Sequence, residues 1–273
     1  MSKDFTLSAY KGLLEALQKA KYNFYTFEDW CDGKAGGRYV ILRHDVDLKA
    51  DHSLAVAKIE ADLGIRASYY FRVVPQSNQP DIIKSIADLK HEIGYHYEDL
   101  SLFGGNTEKS IIHFKQQLQH FRQFYPVRTI CMHGSPTSKF DNRNLWNQYN
   151  YKDFGIIGEP YFDFLGSKNS DNGVGEKVMY ITDTGRMWDG DKYNIRDKVS
   201  NELNDNNIKL QQPKIHSTFD FIDWLNSNPD QSKMMITTHP QRWTNNTREW
   251  LWEFFAQSIK NTIKRLIASR SKI

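Results

Sequence analysis

Hydrophobic and polar positions alternate along this chain in a strand–helix rhythm. Leu13, Leu14 and Leu17 recur at helical spacing within Leu7–Ala20, behind a capping Thr6 or Ser8. A short aromatic strand is expected at Asn23–Phe27, and the first buried strand at Tyr39–Arg43, which runs abruptly into His44-Asp45-Val46-Asp47. A helix follows over Ala50–Leu63, stopped by Gly64, where a residue without a Cβ closes a helix at least cost. The pattern continues as a strand at Ala67–Val74, a helix at Asp81–Lys90, a strand at Glu92–Tyr97, a helix at Thr107–Phe124 and a strand at Val127–Met132. Beyond Thr137 the order loosens. A strand is expected at Lys177–Thr182, an exposed loop at Asn201–Asn207, a helix at Thr218–Asn226, a strand at Lys233–Thr238 and a terminal helix at Asn246–Ala268. Strands that alternate with helices predict an α/β fold built on a parallel sheet with helices outside it. Its length of 273 residues suits one barrel-type domain, taken as 1–273.

Composition adds modest constraints. Hydrophobic residues make up 39% and charged residues 25%, as in ordinary globular proteins, whereas aromatics at 14% are plentiful. Most of these aromatics are expected in the core; Trp243, Trp250, Trp252, Phe254 and Phe255 of the C-terminal region are expected to pack internally, with packing onto a partner as the alternative. A net charge of +3 gives no field strong enough to imply nucleic acid or a membrane surface. No apolar run is long enough for a membrane span. Cys31 and Cys131 are isolated thiols without a disulfide framework, and the first residues hold no signal-like apolar run, so a cytoplasmic location is expected.

The chemistry sits where strands end. Asp45 and Asp47, His96 and Glu98, His133, Asp183 with Arg186, and His239 each follow a predicted strand directly. In a parallel α/β barrel all strand C-termini open onto one face, so separate loops bring these carboxylates and imidazoles together. Two or three imidazoles with one carboxylate suit a divalent cation of the zinc type. A second carboxylate then serves as base and a further histidine as acid. Each residue has a plainer alternative. The two acids also suit helix caps or partners for Arg43, His96 a hydrogen-bonded structural role, His133 a turn, and His239 a strand end.

Arg43-His44-Asp45-Val46-Asp47 resembles the first motif of the polysaccharide deacetylase-like, NodB-homology family, related to the family-four carbohydrate esterases. There two adjacent acids serve as base and metal ligand. Here Val46 separates them, and Asp45 is taken as base and Asp47 as ligand, with the reverse open. His91-Glu92-Ile93-Gly94-Tyr95-His96 is similar to the second motif, whose strand-end histidine binds metal, but Leu100 stands where the family has another ligand histidine. The third ligand is therefore His133, or else Glu98. Met132-His133-Gly134-Ser135-Pro136 takes the place of the third motif without matching its residues. Thr182-Asp183-Thr184-Gly185-Arg186-Met187-Trp188 takes the place of the fourth, which implies that Asp183 and Arg186 orient the base. Trp188 would line the acyl or sugar pocket, the three together forming a substrate-binding set. Ile236-Thr237-Thr238-His239 resembles the fifth, which makes His239 the catalytic acid.

The resemblance spans about Tyr39 to Pro240. It implies a distorted, incomplete (β/α) barrel of about seven parallel strands, a bound divalent metal such as Zn2+, and removal of an N-acyl, commonly N-acetyl, group from an amino sugar in surface polysaccharide synthesis. Two other readings share these residues: hydrolysis of another C–N substrate such as a formyl group or ureide, and a catalytically inactive carbohydrate-binding protein.

Overall fold

A computed structural model describes residues 3–135, 138–165, 178–189, 215–228 and 232–270, with the side chains of 263–270 excepted. The loop expected at Asn201–Asn207 lies outside the described residues, as do Pro136 and Lys177.

The strands are β1 (Asn23–Tyr25), β2 (Tyr39–Val46), β3 (Ser68–Phe71), β4 (Glu92–Tyr97), β5 (Ile130–Met132), β6 (Val178–Thr182) and β7 (Lys233–Thr238). Six of them run in the order β5-β4-β3-β2-β7-β6, and β1 pairs with the beginning of β2, through Asn23–Tyr25 against Tyr39–Ile41. Every pairing is parallel. The sheet is curled and open, a half-barrel interleaved with helices; the strand–helix rhythm predicts the parallel sheet with helices outside it, and the incomplete barrel is what the resemblance implies. β2, at its centre, is buried along its whole length and pairs with β3 at its end and β7 at its start. Fully buried parallel strands lack alternation and read as continuous apolar runs, which explains why Tyr39-Val40-Ile41-Leu42 stands out in the sequence.

The helices that cover this sheet are α1 (Leu7–Lys19), α2 (Phe27–Cys31), α3 (Ala50–Asp62), α4 (Pro80–Asp88), α5 (Asp99–Leu102), α6 (Thr107–Phe121), α7 (Thr218–Ser227) and α8 (Thr247–Arg270). Thr6 caps α1 by accepting from the Ala9 amide at 3.0 Å, and Asn106 caps α6 by accepting from the Lys109 amide at 2.9 Å. Phe27 belongs to α2 rather than to the first strand. Thr26 turns the chain there by accepting from the Asp29 amide at 3.0 Å. Between β5 and β6, short helical turns occupy Asn142–Asn147, Tyr151–Phe154 and Pro160–Phe164. On α8, Trp252, Phe254 and Phe255 are exposed, contrary to the internal packing expected of them, whereas Trp243 is buried. No helix among the described residues is long and apolar enough to cross a membrane.

The two faces of β2 carry different polar systems. Alternate strand residues point to opposite sides. His44 faces the helical layer, where its Nε2 meets Glu60 Oε1 of α3 at 2.7 Å and its Nδ1 meets Thr238 Oγ1 at 2.6 Å. Tyr10 and Tyr69 also donate to Glu60, each at 2.5 Å, so this fully buried carboxylate is satisfied. Arg43 and Asp45 face the other way, to the inside of the curl. There Asp45 lies level with Tyr70, Tyr70 with Gly94, and His96 with Cys131. A Cβ on Gly94 would lie 2.3 Å from the Tyr70 ring, so glycine is the residue that lets this ring lie across β4.

Candidate metal and acid–base site

Asp45 and His96 sit near the C-terminal ends of β2 and β4, while Asp47, His133, Asp183 and His239 follow β2, β5, β6 and β7. The parallel sheet therefore delivers all of them to one edge, the edge at which barrel-type folds assemble their sites. Asp47 is the hub. Its Oδ1 lies 3.6 Å from His96 Nε2 and 3.5 Å from His133 Nε2, and its Oδ2 lies 4.0 Å from His239 Nε2. Oδ1 is buried without a hydrogen-bond partner. A buried carboxylate oxygen left unpartnered between two imidazoles is costly unless something else satisfies it.

Two overlapping groups can hold a cation: Asp47 with His96 and His133, and the more deeply buried Asp45 with His96 and Cys131, each with ligand atoms within 4.8 Å of one another. Geometry favours the first. Two donors held at ~2.0–2.1 Å around a tetrahedral ion lie roughly 3.3 Å apart, close to the 3.5 and 3.6 Å that separate Asp47 Oδ1 from the two imidazoles. In the second group Asp45 is already engaged: Arg43 Nε donates to Oδ1 at 2.9 Å and Nη2 to Oδ2 at 2.6 Å. The Nδ1 atoms of the first group are also taken. His96 Nδ1 meets the Cys131 carbonyl at 3.0 Å and His133 Nδ1 meets Glu98 Oε2 at 2.9 Å, which leaves both Nε2 atoms turned to Asp47.

Electrostatics match this division. Burial pushes His96 down to about 4, so it is a neutral imidazole at pH 7, the form that ligates. Asp47 is disfavoured as an anion by burial, yet His133, His239 and His96 together hold it below the ordinary carboxylate range. The same contest at Asp45 is won chiefly by the Arg43 guanidinium, which keeps that carboxylate ionised. Arg43 is itself fully buried, and the Tyr161 hydroxyl lies 3.1 Å from its Nη2.

His239 is held by a different apparatus. Asp183 Oδ1 accepts from His239 Nδ1 at 2.6 Å and from Arg242 Nη1 at 2.6 Å, while its Oδ2 accepts from the His239 amide and from Trp243 Nε1, both at 3.0 Å. Asp183 is fully buried. Burial raises its pKa, but Arg242 and His239 outweigh that and keep it low. The residue thus lies beneath His239 and holds that imidazole, where the sequence placed it beside Asp45 and among substrate contacts.

Its two companions are engaged in packing contacts. Trp188 is 2% exposed, packs among Phe5, Phe221 and Trp243, and donates to Thr218 Oγ1 at 3.1 Å. Arg186 takes a left-handed backbone with φ 60° and lays its guanidinium over Phe5, Trp250 and Phe254. Both anchor the packing of the C-terminal region. Sequence reasoning missed Gln241 and Arg242, in the short turn after β7. Gln241 Nε2 donates to Asp47 Oδ2 at 3.3 Å, and its buried Oε1 has no partner. The signal for them was a run of polar residues, His-Pro-Gln-Arg, at the end of a buried strand.

Comparison with protein-family models, with curated proteins and with solved structures gives no match.

Proposed function

We propose that this protein is a metal-dependent amide hydrolase that removes an N-acyl group, commonly acetyl, from an amino sugar. The observation that carries the proposal is the unpartnered Asp47 Oδ1 between His96 Nε2 and His133 Nε2, with a second carboxylate and a third imidazole close by. Asp47, His96 and His133 would hold a zinc-type ion. When bound, such an ion makes water nucleophilic at neutral pH and polarises the acyl carbonyl. Asp45, whose Oδ2 is 3.9 Å from His96 Nε2, supplies the base. Arg43 holds this carboxylate in the charged form that a base must have and fixes its orientation. His239 supplies the acid. With Nδ1 donating to Asp183, its Nε2 is the atom free to take up a proton and hand it to the leaving amine.

The division of labour argues against a mere binding role. A protein that only holds a sugar has no need of a buried arginine under one carboxylate and a buried Asp–Arg pair under one histidine. The amino-sugar substrate and a place in surface polysaccharide synthesis are supported by the resemblance of the segments from Arg43, His91 and Ile236. The test is a panel of N-acetyl and N-formyl amino sugars, free and nucleotide-linked, together with non-sugar amides and ureides, assayed for free amine with zinc, cobalt or nickel. Release of amine from N-acetyl sugars alone supports the reading. Turnover confined to ureides or to non-sugar amides redirects the substrate, and sugar binding with no turnover under any of the metals refutes the hydrolase.

A further inference from the structure

We infer that Glu98, clamped by Arg72, is a positioning residue that presents Nε2 of His133 to the metal and is not itself a ligand. This rests on the reading of Asp47, His96 and His133 as the metal-holding set. Glu98 is 4% exposed and follows β4, two residues after His96. The Arg72 fork covers its carboxylate, Nε donating to Oε1 at 2.8 Å and Nη2 to Oε2 at 2.8 Å. Oε2 also accepts from His133 Nδ1 at 2.9 Å, with Ser135 Oγ farther off at 3.4 Å. Both oxygens are thus spoken for, and turning either toward Asp47 would break the fork.

The arrangement has a chemical consequence. An imidazole that donates from Nδ1 has its lone pair on Nε2, and a carboxylate acceptor makes that lone pair more basic. The three imidazoles around Asp47 differ in this respect. His96 leans on a backbone carbonyl, a neutral acceptor, whereas His133 leans on Glu98 and His239 on Asp183. Each of these carboxylates is in turn bound by an arginine, Arg72 or Arg242. Arg72 keeps Glu98 stationary, so the orientation of His133 is set before any ion arrives. Asn142 strengthens the setting from the other side, donating through Nδ2 to the His133 carbonyl at 2.8 Å.

The experiment is a Co2+ titration of the metal-free full chain, followed by affinity and by the visible absorption of the bound ion. Three proteins are compared: wild type, Glu98→Gln, and the double variant Glu98→Leu/Arg72→Met, which removes both charges and so leaves no buried ion unpaired. Melting curves check that each is folded. Wild type and both variants are expected to bind one Co2+ with the same absorption bands, because the three donors persist. Affinity falls about tenfold in Glu98→Gln and up to ~100-fold in the double variant, the range for loss of an outer partner of a metal-binding histidine. Affinities within twofold of wild type overturn the inference and leave the metal reading standing. Altered absorption bands overturn it differently, by making Glu98 a ligand. Failure of wild type to bind Co2+ removes the metal reading itself, and the inference falls with it.

Discussion

Replacing Asp183 by Asn tests whether this carboxylate is the foundation of His239 or a contact for substrate. The wild-type side chain accepts from four donors: His239 N, His239 Nδ1, Arg242 Nη1 and Trp243 Nε1. Asn offers one acceptor oxygen, and its amide group would point two hydrogens at donors. Arg242, with its side chain 10% exposed, would keep only the Asp183 backbone carbonyl at 2.6 Å. Breaking a buried ion pair by neutralising one partner costs ~3–5 kcal/mol. For a chain of this size that corresponds to a fall in Tm of roughly 6–20 °C. Thermal and urea denaturation of Asp183→Asn beside wild type measure it directly, with amine release from an N-acetyl sugar recorded on the same preparations. The account expects both a large loss of stability and a loss of turnover. A side chain that only touched substrate would sacrifice turnover and leave stability within ~0.5 kcal/mol. That second outcome refutes the reasoning.

Other consequences are as specific. His239→Asn should keep the bound metal and the fold while lowering turnover ~100- to 10,000-fold, measured as amine release beside metal content. Gly94→Ala places a Cβ 2.3 Å from the Tyr70 ring and 3.0 Å from the Thr129 carbonyl, so urea denaturation should show a loss of ~1–3 kcal/mol or more. Burial pushes Glu92 up to about 7 from its ordinary 4.5, against the opposing hydrogen bonds of Ser68, Thr129 and the Glu28 amide. A carboxyl raised in the folded state stabilises fully below its unfolded value and loses that contribution as pH rises through the folded one. Relative to Glu92→Gln, wild type should therefore lose up to ~3 kcal/mol between about pH 4.5 and pH 7, read from urea midpoints across that range. Equal pH dependence in the two proteins would contradict the assignment.

How much of this was legible in the sequence differs from residue to residue. The parallel sheet was, because strands buried on both faces must be apolar throughout, and Tyr39–Leu42 and Met234–Ile236 advertise that; its incomplete curl came only with the resemblance. The split acids of Arg43-His44-Asp45-Val46-Asp47 were legible as well, since alternation sends Arg43 and Asp45 to one side and His44 to the other. The pairing of Asp45 with Arg43, the structural alternative for this acid, is present. What the sequence withheld was the depth of a side chain beneath its neighbours. Nothing in Thr182-Asp183-Thr184 says that the carboxylate lies under His239, and Trp188 looks as suited to a sugar pocket as to the packing against Phe221 that it makes. Helix α2 escaped because five residues after an aromatic strand carry too little periodicity. The exposed Trp252 and Phe255 were misplaced because aromatic residues are more often buried than not.

The most direct test of the central claim is a crystal of the full chain soaked with zinc, with anomalous scattering recorded at the zinc edge. The account predicts one strong peak within bonding distance of Asp47 Oδ1, His96 Nε2 and His133 Nε2, and none in the same crystals of Asp47→Ala. A peak at Asp45 and Cys131, a peak unaffected by Asp47→Ala, or no peak at the strand ends in wild type would contradict it.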